Sequence, residues 1–457
     1  MAEQKTPTEL GTEPVGKLLL RYAIPAIIAQ TAVSLYNMVD SIFIGQGVGA
    51  MAISGLGITF PLMNLSGAFG AAVGVGGATL ISVKLGQRDY KTAQNVLGNV
   101  VTLNILVGIV LGAICLLFMD PILYFFGASE NTLPYARDYM QIIMLGNVFT
   151  HSYMGMNAIL RAAGKPKQAM GATLCTVVLN TIMDPLFIYT FGMGIKGAAL
   201  ATILAQIVAL LYQIKMLTNK DELLHLKKGI YQLKGRIVKG IVAIGMSPFL
   251  MNICSCLVVI LINKTLVSYG GDYYIGAYGI VNRVLFIFIM LCIGFNQGMQ
   301  PIAGYNYGAK QYDRVTKVLK YTISDATIIT TIGFIVGMFF AGPCTQIFTS
   351  DAELIEISKH AMPIMVMCFP VVGFQMASTN FFQCIGLAKK SAFLSLTRQL
   401  IFLLPCLLIL PPILGADGVW WSMACADALS TITTGVMLYF QIKSFRKLTP
   451  SVTLNAE

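Results

Sequence analysis

Charged side chains are scarce in this chain, at 11% of 457 residues, where a soluble domain carries about 25%. That deficit excludes an ordinary water-soluble globule. The residues of enzyme chemistry are thin as well. The three histidines, His151, His225 and His360, are scattered along the chain, and a lone histidine is a packing or surface residue more often than a ligand. No His-Glu-x-x-His, no Cys/His cluster and no Gly-x-Ser-x-Gly occurs, which argues against a metalloenzyme or hydrolase inside the membrane. Cys254 and Cys256 stand two apart, so on a helix they point in different directions and make no metal clamp. The ten cysteines read instead as small buried hydrophobes. A removable leader pattern is missing too: Met1 to Pro14 is polar, and the first apolar span would itself direct insertion.

What the chain has in excess is apolar sequence. Hydrophobic residues make up 56% and the mean hydropathy is +0.74. Runs at or above the roughly 20 residues that cross a bilayer recur from end to end. Twelve spans are read, near 17–45, 51–82, 92–119, 133–160, 168–190, 194–217, 238–268, 274–306, 314–340, 353–385, 391–412 and 416–442. The expected fold class is an all-α polytopic membrane protein. The net charge of +11 reflects topology rather than a nucleic-acid partner. All but five of the 31 Lys and Arg fall on the side of the N-terminus, the exceptions being Arg137, Lys196, Lys264, Arg283 and Lys359. By the positive-inside rule both termini are cytoplasmic, in a cell (inner) membrane.

The two halves repeat. Lys84-Leu-Gly-Gln-Arg-Asp-Tyr90 matches Asn306-Tyr-Gly-Ala-Lys-Gln-Tyr312 at an offset of 222, and Gly164 matches Gly386 at the same offset. Gly194 matches Gly415 at 221, and Pro25 matches Pro248 at 223. Six spans separate each pair, so both halves enter the membrane in the same sense, related by a pseudo-two-fold axis along the membrane normal. The expected organisation is an N-terminal lobe (1–217), a basic cytoplasmic linker (218–237) and a C-terminal lobe (238–457). The glycines of span two, Gly67, Gly70, Gly74, Gly76 and Gly77, are at small-residue spacing that lets helices approach closely. No strand precedes them, so a phosphate-cradling loop is a poor reading.

Polar residues inside spans carry the functional signal. In Leu179-Asn-Thr-Ile-Met-Asp-Pro-Leu-Phe187, Asn180 and Asp184 are four apart and share a helix face. Pro185 donates no N–H, which frees the carbonyl of Thr181. A carboxylate in mid-membrane costs roughly 2.5–3.5 kcal/mol on lenient scales, so it persists where a cation, a proton or a partner compensates. The alternative is a packing aspartate bonded to a neighbouring hydroxyl. In the repeat, Asp40 aligns with Asn263 and Asp184 lies near Cys406; only the N-terminal half keeps acids at these depths, which favours function. At 1.5 Å per residue, Asp40 lies about 35 Å along span one from Lys17, and Asp184 about 25 Å along span five from Lys167. Thr202 lies about 9 Å below Lys196, so the three meet at one level.

At these residues the chain resembles the multidrug and toxic compound extrusion (MATE) family, and most of all its MepA-like bacterial branch. The matching segments are Pro25 with Asn37-Met-Val-Asp40, Arg161 to Met170, Leu179 to Phe187, Gly197 to Thr202, and Gln300 to Gly308. The resemblance covers essentially the whole chain. It implies twelve helices in two six-helix lobes around a central cavity, and export of amphipathic, often cationic compounds by Na⁺ or H⁺ antiport. It implies a cation- or proton-coupling site of Asp40, Asn180, Asp184 and Thr202, these four being the metal ligands if Na⁺ is the couple. A C-lobe cation site of the kind found in other branches is not expected, because span seven has no acid and Glu353 and Glu356 lie at the mouth of span ten.

Tyr36 and Asn37, one turn before Asp40, are candidate supporting residues, and Pro25 and Pro185 candidate hinges. Arg283, Asn282 and Gln297 are candidates for the substrate cavity, with snorkelling or a bond to helix carbonyls the competing reading of Arg283. The expected partners are small amphipathic or cationic molecules and the lipid bilayer, with no nucleic acid; the chain is expected to be a monomer with no cofactor beyond the coupling ion. The rival function is a lipid-linked precursor flippase. It would need several intramembrane cations for a pyrophosphate, and Arg283 is the one clear candidate.

Overall fold

A computed structural model describes residues 9–448. Lys5 and the outer ends of the expected lobes, 1–8 and 449–457, lie outside the described residues. The described chain is almost entirely helical, as an apolar chain in lipid must be, since a helix satisfies every backbone polar group within itself. Among the described residues ten helices are singly long and apolar enough to cross a membrane. An eleventh span is the pair Ala352–Val366 and Phe369–Cys384, bent by 53°. The remaining expected span, 133–160, is Leu133–Leu145 followed after Gly146 by Asn147–Ala162. It is less hydropathic because Asn147, His151, Ser152 and Asn157 lie along it, all buried against neighbouring helices. Both broken spans give way at equivalent places in the repeat, Gly146 and Cys368.

The repeat is written into the backbone. Arg88 and Lys310, equivalent residues, both adopt a left-handed φ of 59° in the turn before spans three and nine. Gly164 and Gly386 (84° and 77°) and Gly194 and Gly415 (57° and 64°) do the same at their own turns. A non-glycine at positive φ is uncommon; here the same exception occurs twice because the same turn is built twice.

The chain forms two compact units. One comprises Ile24–Ile253, and the other Glu9–Ala23 together with the chain from Cys254 onward. These boundaries fall inside helices. Span one, the continuous helix Val15–Gly47, changes unit two residues before Pro25, and span seven, Gly235–Gly270, changes five residues after Pro248.

Close packing explains the exchange. In the first unit Gly76 of span two lies on the Ile241 carbonyl, and Gly245 of span seven lies on the Ala72 carbonyl, each so close that a Cβ would strike backbone. In the second unit Gly298, the repeat counterpart of Gly76, packs on Ala23; a Cβ there would sit 2.8 Å from the Ala23 nitrogen. Dispersion contacts between approaching backbones hold helices together where lipid supplies no hydrophobic drive. The other span-two glycines behave similarly: Gly70 faces His151, Gly74 faces Gly155 and Gly77 faces Val100, while Gly67 faces open space.

Each unit has its own apolar core. In the first, Ile44, Leu62, Met140 and Ile188 are among the buried residues. In the second, one cluster gathers Leu18, Leu19, Phe381 and Phe382, and another is built on Trp420 with Val281 and Phe369.

Candidate functional site

Span five begins at Pro166, whose missing N–H costs nothing at a first helical turn, and runs as an α-helix to Pro185. Beyond Pro185 it continues as a π-turn, Leu186–Thr190. This local widening follows from the donor that Pro185 cannot supply. The π-turn packs on the end of span one: Ile188 and Tyr189 press against Gly47, and the Tyr189 hydroxyl donates to the Phe43 carbonyl at 3.0 Å. Spans one and five are thereby held together just beyond Asp40 and Asp184.

Asp40, Asn180, Asp184 and Thr202 are all buried, at 6%, 1%, 0% and 9% exposure. Span six delivers Thr202. One orientation of the Asn180 amide satisfies every neighbour. Its nitrogen donates to the Asp184 carboxylate at 2.5 and 3.1 Å, and its oxygen accepts from the Thr202 hydroxyl and N–H, both at 3.0 Å. The Tyr36 hydroxyl lies 3.2 Å from both the Asn180 oxygen and the Thr202 hydroxyl. Asp40 and Asp184 lie within hydrogen-bonding reach of each other, and Oδ1 of Asp40 is buried with no donor of its own. Two carboxylates in contact repel unless something positive lies between them.

Tyr139 of span four completes the cluster and was missed by the sequence reasoning. It is 2% exposed and lies close to Thr202 and within the field of both aspartates. Nothing distinguishes Tyr139 in sequence from other tyrosines of the spans; only the rotation of its helix brings it here.

Other residues singled out from the sequence lie elsewhere. Asn37 is exposed, and its carbonyl, not its amide, is engaged, by the Ser41 hydroxyl at 2.9 Å. Pro25 is buried within an unbroken helix. Asn282, Arg283 and Gln297 belong to the second unit, where Asn282 is half-buried near Tyr278 and Arg283 is exposed. Glu353 and Glu356 are exposed.

The second unit also corrects a premise. Arg398, counted above among the basic residues of the N-terminal side, lies within span eleven and donates from Nε to Oδ1 of Asp427 in span twelve at 2.6 Å. Asp427 is 8% exposed. The second half therefore does keep an acid at membrane depth, off the positions equivalent to Asp40 and Asp184, and it supplies the acid with its own cation. Arg283 is consequently not the one intramembrane cation, but Arg398 is already committed to a carboxylate. Span eleven widens into a π-turn, Thr397–Leu403, at this pair, and the adjacent Gln399 donates to Ser255 at 2.7 Å. Among the described residues no cluster of three or more His, Cys, Asp or Glu could hold a metal.

Comparison with known proteins identifies relatives along the whole length. The profile of the family described as MatE matches residues 25–186 and 243–408. "Multidrug export protein MepA" of Staphylococcus haemolyticus (strain JCSC1435) is 26% identical over 423 residues, 93% of each chain. The MATE multidrug transporter DinF-BH, solved in complex with a ligand, is 38% identical, with a TM-score of 0.88 over 97% of this chain and 99% of that one. An outward-facing multidrug resistance MATE family transporter of the MOP superfamily is 25% identical, with a TM-score of 0.91 over 97% and 100% of the two chains.

Proposed function

The chain belongs to the MatE family, whose members are transporters rather than enzymes, and from there we propose a secondary active multidrug exporter driven by protons. It expels amphipathic, often cationic organic compounds, in keeping with relatives that are themselves multidrug transporters. It works as a monomer in the cell (inner) membrane, with both termini cytoplasmic.

The observation that carries the proton reading is the contact between Asp40 and Asp184, with the Asp40 Oδ1 lacking a donor. A proton is the smallest positive species that relieves such a contact. The Asn180 oxygen, a natural ligand for Na⁺, is already occupied by the donors of Thr202 and Tyr36. In the proposed cycle, a proton entering from outside bridges the aspartates. Span one then shifts relative to span five, hinging near Pro25, and the cavity releases its drug outward. Loss of the proton inward resets the pair.

Reconstitution into liposomes tests this with a fluorescent cation such as ethidium as cargo. An imposed pH gradient at constant Na⁺ should drive transport, and a Na⁺ gradient at constant pH should not. The opposite result would put Na⁺ at the four residues and end the proton reading.

A further inference from the structure

The segment joining the repeats, residues 218–234, is fastened to the flank of span three, Tyr90–Leu117, by side chains of that span. Asn99 donates to the Gln232 carbonyl at 3.0 Å and accepts from the Lys234 N–H at 2.9 Å. Thr102 donates to the Tyr231 carbonyl at 2.9 Å, and the Gln94 amide donates to the His225 carbonyl. The Ile230 carbonyl rests on Gly98, where any Cβ would strike it. None of these contacts involves a charged group. Neutral hydrogen bonds thus fix the path of a basic loop.

That path surrounds a pocket of about 440 Å³ with Lys91, Lys227, Lys228 and Lys234, alongside His225 and Gln94, and with no carboxylate on its wall. Among the described residues none of the four lysines has an ion-pair partner, and the loop's Glu222 is committed to Lys165 at 3.4 Å. Four ammonium groups around one concavity make a focused positive potential that favours an anion. The equivalent place in the second repeat differs: Asp313 stands where the first repeat has Lys91, and it lines the corresponding pocket. Tyr231 and Leu233, 40% and 44% exposed, flank the lysines. An exposed tyrosine and leucine beside basic residues at the end of a span suit the headgroup layer of a membrane.

We propose that this pocket binds a phosphate-bearing anion, and that in the membrane its occupant is the phosphodiester headgroup of an anionic phospholipid. The strap is ordered before the ligand arrives, so binding spends little on ordering the loop. The lysines then share the phosphate oxygens through charge-assisted bonds. The inference is independent of which ion drives transport.

The test is native mass spectrometry of the purified full chain with phosphatidylglycerol or phosphatidylcholine added, repeated on the triple variant Lys227→Gln, Lys228→Gln, Lys234→Gln. These lysines are exposed, and the Gln94, Asn99 and Thr102 anchors stay intact, so the variant should melt with the wild type; Lys91→Gln is a milder second variant. Each lysine near an anionic surface is worth about fivefold in binding, so the triple variant should lose roughly a hundredfold of its phosphatidylglycerol affinity. Phosphatidylcholine should not distinguish the proteins, and Lys317→Gln with Lys320→Gln should retain phosphatidylglycerol binding. Undiminished phosphatidylglycerol binding by the triple variant would overturn the site. Inorganic phosphate binding as tightly as the lipid would overturn the lipid as occupant and leave a soluble phosphate compound in its place.

Discussion

Arg398 holds Asp427 by a 2.6 Å ion pair inside the second unit, so the buried acids of this chain come in two kinds. Asp427 has a permanent cation, whereas Asp40 and Asp184 face each other. The two arrangements should respond oppositely to neutralisation.

Removing one partner of a fully buried ion pair costs about 3–5 kcal/mol, and replacing both by apolar residues is close to neutral; here the Arg398 side chain is 30% exposed, so the cost is smaller. Arg398→Met should therefore lower the melting temperature in detergent measurably, and Arg398→Met with Asp427→Leu should recover most of the loss. Equal losses in the single and double variants would mean that the pair's surroundings, not its charge, hold the site.

Asp40→Asn removes a repulsion rather than an attraction, so the folded protein should be at least as stable as the wild type by thermal denaturation. Its transport driven by a pH gradient should fall to background in liposomes. Tyr139→Phe deletes one buried hydroxyl close to Thr202, where a hydrogen bond would be worth about 1 kcal/mol. Its transport should drop by about fivefold while the protein stays folded. Wild-type rates in Asp40→Asn would rule out the aspartate pair as the coupling site.

Exchange of one proton for one monocationic drug moves no net charge. A membrane potential, worth about 2.3 kcal/mol per charge per 100 mV, should then leave the rate unchanged when clamped with valinomycin and K⁺ at a fixed pH gradient. A rate that follows the clamp would require a second charge per cycle.

Gly298 meets the backbone of Ala23, 2.8 Å from where its Cβ would lie, so Gly298→Val should cost roughly 1–3 kcal/mol by overpacking. Gly67 has nothing within 4 Å, and Gly67→Ala should be neutral or stabilising by up to about 1 kcal/mol through helix propensity. Melting curves of both variants compare them directly.

Much of the fold was legible because its signals are local. A span is a run of apolar residues, and the repeat is a spacing. The turns that Arg88 and Lys310 share follow from similar short sequences at the same offset. Span four was the faintest of the twelve because its buried polar residues, His151 and Asn147 among them, lower its hydropathy while bonding to Ser66 of span two. Of the site, Asp40 and Asp184 could be named because carboxylates are rare inside spans, and Asn180 and Thr202 joined them through shared face, depth and the family resemblance. Tyr139 could not, since a tyrosine that packs and one that meets Thr202 look the same in sequence.

The sequence by itself determined the helical class, the twelve crossings, the doubled architecture and the presence of acids such as Asp40 and Asp184 inside the spans. Composition and spacing suffice there, because a bilayer tolerates only helices of one length range and penalises every unpaired charge. The tertiary structure alone decided which charges meet: Arg398 pairs with Asp427, while Asp40 lies beside Asp184. It also decided that spans one and seven change unit partway along their length. Those outcomes depend on the rotation and approach of whole helices, set by contacts such as Gly76 on Ile241 and Gly298 on Ala23 between residues far apart in the chain, and no local pattern encodes them.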